Sequence, residues 1–273
     1  MNQPRSKERK ELNMIPRINM NLITACLLLV VAGVTSQEVE QKFETPEYIL
    51  PCEKEDRDLN ACIKNTFNHL RPYLVKGIPE LEMPPIEPLK IDKMAMENGH
   101  GPVNVRAVFT NLTVHGASNY SVVAVKSDLA TYRLDLGMKI PKITATGHYE
   151  VTGNVLLLPV RSRGDFLSSF SDVTALAKIY GKEEKEAFGR MGPFMRTEKL
   201  VVDFALGKAR FRVRDLLNGD NLLGVAMNQF LNQNSIEIIN EMKPAASASI
   251  ARLFKKILND AFLRIPIKVW LRE

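Results

Sequence analysis

The sequence predicts an α+β fold in which a highly curved antiparallel β-sheet wraps a long C-terminal helix. From Val103 onward apolar residues recur with period two through several segments that no helix separates, the mark of antiparallel strands with one dry face. From Leu222 to Phe262 they recur at helical spacing instead. Such a helix extends about 60 Å at 1.5 Å per residue, longer than an ordinary core, and a strongly bent sheet laid along it accommodates that length.

The N-terminal elements set the compartment. Leu22–Val34 (LITACLLLVVAGV) is apolar, follows Arg17 and precedes the small residues Val34-Thr35-Ser36, which reads as a secretory signal with cleavage near residue 36. Thirteen residues are too few for a membrane span. Residues 1–36 therefore read as a leader, with a signal anchor as the competing reading and Met20 or Met14 placed as an ordinary start. Residues 37–273 form one domain, secreted and extracellular. Removing the leader takes Cys26 and leaves Cys52 and Cys62, an even pair that in a secreted chain reads as a disulfide.

Between them lies EKEDRDLNA, in which Asp56, Asp58 and Asn60 fall at the first, third and fifth positions of a calcium loop. That reading fails because Ala61 stands where the turn needs glycine and Phe67 where a bidentate glutamate belongs. Leu59, Ile63, Phe67, Leu70 and Leu74 then form one helical stripe, with Asp58 or Asn60 as N-cap, ended by Gly77 and Pro79. Residues 78–91 (IPELEMPPIEPLKI) carry four prolines and read as an extended connector.

Strand signals follow at Val103–Phe109, with a phase shift to Leu112 and Val114 that a bulge would produce. The cleanest is Thr131–Ile140, in which Tyr132, Leu134, Leu136, Met138 and Ile140 share a face. Further alternation marks Ile143–Val151, Val173–Ile179, Val202–Leu206 and Phe211–Val213. In the long helix Pro244 is expected to kink the middle, and the small residues of AASAS to let strands approach closely.

Chemistry is sparse. The whole chain has a net charge of +6, but the leader holds five basic and two acidic residues, leaving 32 against 29, or +3. No basic run interleaved with aromatics marks a nucleic-acid surface. His69, His100, His115 and His148 stand in no metal-binding spacing, so neither metal nor cofactor is expected. HGASNY around Ser118 lacks the second glycine of a nucleophile elbow, and GHGPVN from Gly99 does not lie between a strand and a helix as a phosphate loop would. The protein is expected not to be an enzyme. Sequons at Asn111 and Asn119 suit a secreted glycoprotein.

Over nearly its whole mature length the chain resembles the insect takeout and haemolymph juvenile-hormone-binding proteins. CEKEDRDLNACIKNTFNHLRPYLVKGIPEL is similar to their N-terminal disulfide motif, with Cys52 and Cys62 as the pair. LDLGMKIPKITATGHYEVTGNVLLLPV resembles their central hairpin, including Tyr149, Gly153 and Leu158-Pro159. DLLNGDNLLGVAMNQFLNQNSIEIINEMKP is similar to the approach to their long helix, with Asn232 and Pro244 in place.

The resemblance implies a secreted tubular lipid-binding fold and a hydrophobic ligand, a terpenoid such as juvenile hormone or a fatty acyl lipid. Two departures, Ser162 where the family has the first glycine of Gly-x-Gly and the lack of further cysteines, place the chain nearer the takeout branch. Helix and strand phase put Leu134, Tyr149, Met227, Phe230, Met242, Ile250 and Phe254 inward, where core and ligand wall are not distinguished. Phe67, Leu70 and Leu74 are expected to close one end of a tunnel, with the disulfide anchoring their helix, and Tyr149 and Tyr132 to orient the ligand. No stable membrane insertion is expected, and the chain is expected to be a monomer. A different reading has Arg210, Arg212 and Arg214, on one strand face, engage membrane or microbial lipid.

Overall fold

The computed structural model describes residues 45–99, 101–155, 157–214 and 221–273, which fall within one compact unit, Glu44–Glu273. The leader and His100 lie outside the described residues. A short strand β1 (Cys52–Glu53) leads to helices α1 (Leu59–His69) and α2 (Arg71–Lys76). The sheet is built from β2 (Leu89–Asn98), β3 (Val103–His115), β4 (Ser121–Asp128), β5 (Arg133–Val155), β6 (Leu158–Ala187), β7 (Arg190–Ala205) and β8 (Lys208–Val213). Helices α3 (Asn221–Gln233), α4 (Ser235–Phe262) and α5 (Ile267–Trp270) follow, and β9 (Leu271–Arg272) returns in parallel to β1.

The seven sheet strands are antiparallel in the order β2-β3-β5-β6-β7, with β4 also on β5 and β8 also on β6. β5 and β6, of 23 and 30 residues, far exceed the usual strand of up to about ten. Straight, β6 would reach roughly 100 Å. The sheet curves instead into a half-barrel, and register shifts between Thr110 and Thr113, Val122 and Ala124, Tyr180 and Gly181, and Glu184 and Glu186 mark where it bends. The first lies at the expected bulge. At Gly153 a side chain is excluded, because a Cβ there would come 2.2 Å from the Asn104 carbonyl oxygen at φ +134°.

Several expectations change. The first helix breaks at Leu70, since Pro72 has no N–H to continue it and starts α2 at its N-terminal turn. Asp58 is the N-cap by position, but its side chain makes no cap bond; Asn60 Oδ1 instead accepts from Ser127 N–H and Oγ, tying α1 to β4. The proline-rich connector includes a 3-10 turn (Pro79–Leu81) and gives way at Leu89 to β2. The segments around Pro141 are one strand, β5, because Pro141 falls where β4 ends as its neighbour and β3 begins, so its missing N–H breaks no ladder bond. β6 and β7 likewise begin well before their expected cores. The long helix divides at Asn234, whose amide donates to the Phe230 carbonyl, and α4 runs through Pro244 without interruption.

α4 spans the two edges of the sheet. Ser249 Oγ donates to the Ala95 carbonyl (2.7 Å) and Asn98 Nδ2 to that of Glu241 (3.2 Å) on the β2 side. On the β7 side Asn259 receives the Thr197 N–H at 2.7 Å and donates to its carbonyl at 3.1 Å, and Lys243 pairs with Asp203. The same two-way bond recurs from α3 to β8, Asn228 with Val213 and Asn232 with Phe211, and from α1 to β4, Asn68 with Val122.

Thr197 is 1% exposed, so water cannot replace Asn259. Asn259→Ala should lower unfolding stability by about 2–3 kcal/mol through two unpaired buried groups. Asn240→Ala, exposed on the same helix, should stay within about 0.5 kcal/mol. Urea midpoints of the two variants check this, and equal shifts would contradict it.

Candidate ligand cavity

The inward faces of β2 to β8 and one stripe of α4 do not meet in a filled core. Apolar packing is concentrated at the two ends of β5. At one end Leu134, Leu136, Ile179, Leu200 and Ile267 gather with Phe67 and Phe262; at the other, Val103, Val105, Val155 and Val160 gather with Phe230 and Met242. Across these clusters and the middle of the sheet runs a cavity of about 1860 Å³, larger than the roughly 300–1,000 Å³ of ordinary small-molecule sites. Its middle is walled by Phe109, Ile143, Phe166 and Phe170 from the sheet and by Ala246, Ile250 and Phe254 from α4.

Of the residues that sequence phase turns inward, Phe67, Leu70, Leu74, Leu134, Tyr149, Met227, Met242, Ile250 and Phe254 line this cavity. Phe230 does not; it packs against the valine cluster. Tyr149 is 7% exposed, and its hydroxyl lies 2.7 Å from Ser162 Oγ and donates to the Arg214 carbonyl (3.1 Å). The serine that departs from the glycine pattern is thus a partner of this tyrosine. Tyr132 reaches the cavity wall near its β4–β5 end, but its hydroxyl donates to Glu183 Oε2 (2.7 Å), which together with burial raises its pKa above the ordinary value.

At the same end, sequence phase missed Tyr120, which lines the cavity and donates from its hydroxyl to the Phe67 carbonyl at 2.6 Å. Nothing in its local pattern signals this, since the bond joins residues 53 apart in sequence. Burial pushes the Tyr120 hydroxyl up to about 12, with nearby Arg71 opposing. Cys52 and Cys62 are bonded, with Cα atoms 5.9 Å apart, so α1 is fastened to the β1–β9 pair that also holds the C-terminus.

The remaining candidates are structural or exposed. Ser118 Oγ donates to Glu87 Oε2 (2.8 Å), as Gly116 N–H does (2.9 Å), and His115 Nδ1 lies 3.1 Å from Glu87 Oε1. Partial burial raises the Glu87 pKa, but these bonds outweigh it and leave the carboxyl below its usual range. His115 therefore faces Glu87 rather than Ser118, and the three groups brace the turn before β4. Asp56 Oδ1 accepts the Asp58 N–H, and no metal-holding group of three His, Cys, Asp or Glu occurs among the described residues. Asn111, at the β3 bulge, and Asn119 are exposed, as are Arg210 and Arg212 on the outer face of β8 and Arg214 just beyond its end. Among the described residues no helix is long and apolar enough to cross a membrane.

Known proteins resemble this chain in sequence, and a solved structure resembles it in fold. The family model described as haemolymph juvenile hormone binding protein matches residues 26–272. The circadian clock-controlled protein daywake of Drosophila yakuba is 22% identical over 257 residues, covering 90% of this chain and 97% of its own. That of Drosophila melanogaster is 24% identical over 260 residues, with the same coverage. The crystal structure of Takeout 1 from Epiphyas postvittana aligns with a TM-score of 0.69 at 24% identity, covering 82% of this chain and 99% of that one. The fold is the tubular lipid-binding fold.

Tyr120 makes stability fall at high pH. Because its folded pKa is raised above the unfolded value of 10, its contribution is complete below pH 10 and is lost as pH rises from 10 toward 12. Over that window wild-type protein should lose about 2–3 kcal/mol more than Tyr120→Phe. Parallel urea titrations of both proteins in that range measure the difference, and superimposable pH profiles would refute the assignment.

Proposed function

The chain belongs to the haemolymph juvenile hormone binding protein family, and from that premise we propose that it is a secreted carrier of one apolar, chain-like ligand. The ligand class is a terpenoid such as juvenile hormone or a fatty acyl lipid, held between α4 and the curved sheet. The observation that carries this reading is the apolar cavity of about 1860 Å³. A fifteen-carbon ligand hiding on the order of 300 Å² of apolar surface gains roughly 7 kcal/mol, before the cost of immobilisation. The cavity leaves room beyond such a ligand.

Residues 1–36 act in this reading as a cleaved secretory signal, and Asn111 and Asn119 as glycan acceptors. Nine inward residues, Phe67, Leu70, Leu74, Leu134, Tyr149, Met227, Met242, Ile250 and Phe254, contact the ligand. Tyr132 and Tyr149 hydroxyls are engaged by protein partners, so orientation rests mainly on shape. The carrier works as a monomer without cofactor or nucleic acid, and it performs no catalysis.

Native mass spectrometry of the secreted protein should show a co-purified lipid, and terpenoid or fatty-acid titration should saturate at one site. A clean unliganded mass without binding in titration would sink the proposal. Ala145→Phe, which places a ring in the cavity wall, should weaken uptake at least about tenfold while the protein remains folded.

The Cys52–Cys62 bridge is a staple for the α1–α2 end of the cavity. Removing it by Cys52→Ser/Cys62→Ser frees a ten-residue separation, a loss of about 3 kcal/mol on the entropic account. The ligand dissociation rate should rise several-fold in a core that stays folded, because α1 and α2 wall that end. An unchanged dissociation rate would show that the bridge serves stability alone.

A further inference from the structure

The outward face of the sheet, which the carrier role leaves unused, bears a strip of arginines. Register places Arg106 of β3 and Arg161 of β6 on either side of Thr152, Arg163 opposite Glu150, Arg212 opposite Leu167 and Arg210 opposite Ser169. Arg214 adjoins them, its N–H bonded to the Asp165 carbonyl (2.8 Å). All six side chains are exposed, and among the described residues none takes part in an ion pair. The acidic groups sharing the face are Glu97, Glu150 and Asp165, and His148 already engages Asp165. Lys142 and Lys208 extend the strip, with the exposed carboxylate Asp172 beside them at that end.

Leucines interrupt this basic surface. Leu157, at the β5–β6 turn, is 97% exposed, Leu158 beside it 43%, and Leu167, among the arginines, 44%. The strip from Leu157 to Ser169 measures roughly 40 Å along the strand. A nucleic acid or acidic polysaccharide would satisfy the arginines but leave the leucines in water. A bilayer with anionic headgroups satisfies both, with the arginines at the charge and the leucines at the acyl boundary. The opposite hairpin also exposes apolar residues, Phe188 and Met191, but Arg264 covers the Phe188 ring at 4.1 Å and Glu183, Glu184 and Glu186 stand nearby in the chain.

We propose that the strip formed by Arg106, Arg161, Arg163, Arg210, Arg212 and Arg214 with Leu157, Leu158 and Leu167 docks the protein on an anionic lipid bilayer. Val155 and Val160, directly behind the leucine turn, line the cavity, so docking sets that end of the cavity beside the membrane. That exchange of ligand occurs there rests on the carrier reading; bilayer docking does not.

The experiment is cosedimentation of the full secreted chain with vesicles of phosphatidylcholine alone or mixed with phosphatidylserine. Binding should require phosphatidylserine and fall with added salt. Arg161→Gln/Arg163→Gln/Arg212→Gln should weaken it on the order of 100-fold, and Leu157→Asp about tenfold. Arg57→Gln/Lys76→Gln/Lys256→Gln, removing equal charge from exposed positions elsewhere, should weaken it less than about threefold. Equal loss in both triple variants, or no vesicle binding by a protein that still takes up terpenoid, overturns the docking surface; the second result leaves the carrier reading standing. Binding to heparin with none to vesicles overturns it in favour of a polyanion.

Discussion

The edges of an open sheet must be satisfied, and here helix asparagines satisfy them. A carboxamide carries donor and acceptor in one plane, so a single Asn can replace the neighbouring residue that an edge strand lacks. Asn259 does this for Thr197 on β7, Asn228 and Asn232 for Val213 and Phe211 on β8, and Asn68 for Val122 on β4. These bonds fix α1, α3 and α4 at the rims of the trough. With Ser249 and Asn98 holding α4 to β2 as well, that helix is braced across the opening, its apolar stripe over the hollow. The cavity is a consequence of where the polar bonds stop the helix.

The apolar clusters at the two ends of β5 complete the frame. They supply packing where the helix and sheet converge and leave the middle lined but unfilled. The end near α1 and α2 is additionally gathered by the Cys52–Cys62 bridge, the β1–β9 pair, the Asn60 bonds to Ser127 and the Tyr120 bond to the Phe67 carbonyl. Many of these links join segments far apart in sequence, so the segment from β1 to α2, the β4 region and β9 share one closure.

How much of this the sequence disclosed depends on the kind of signal. The antiparallel sheet, the long helix and most inward residues were legible because one face was dry, as along Leu134, Leu136 and Met138. β2 was missed because its apolar phase slips at Asp92-Lys93, between Leu89-x-Ile91 and Met94-x-Met96. The first half of β6 was missed because its inward positions include Ser162, Gly164 and Ser168, which erase the alternation. Pro244 was expected to kink the long helix, whereas the division falls at Asn234, whose side-chain amide bonds the Phe230 carbonyl and whose neighbours carry no breaker signal. The edge-capping asparagines read as ordinary polar-face residues, since their partners are chosen by tertiary approach. Phe230 shows the same limit on the cavity side: phase turned it inward, and packing made it core.

A crystal structure of the protein with a terminally brominated fatty acid tests the central claim most directly, because anomalous scattering locates the chain without assumptions about contacts. The account predicts a bromine peak inside the space between Phe109, Phe166 and Ile250, with Asn259 and Asn232 still bonded to Thr197 and Phe211. A helix α4 collapsed into the trough, with no internal density or with bromine only on the outer surface, would contradict it.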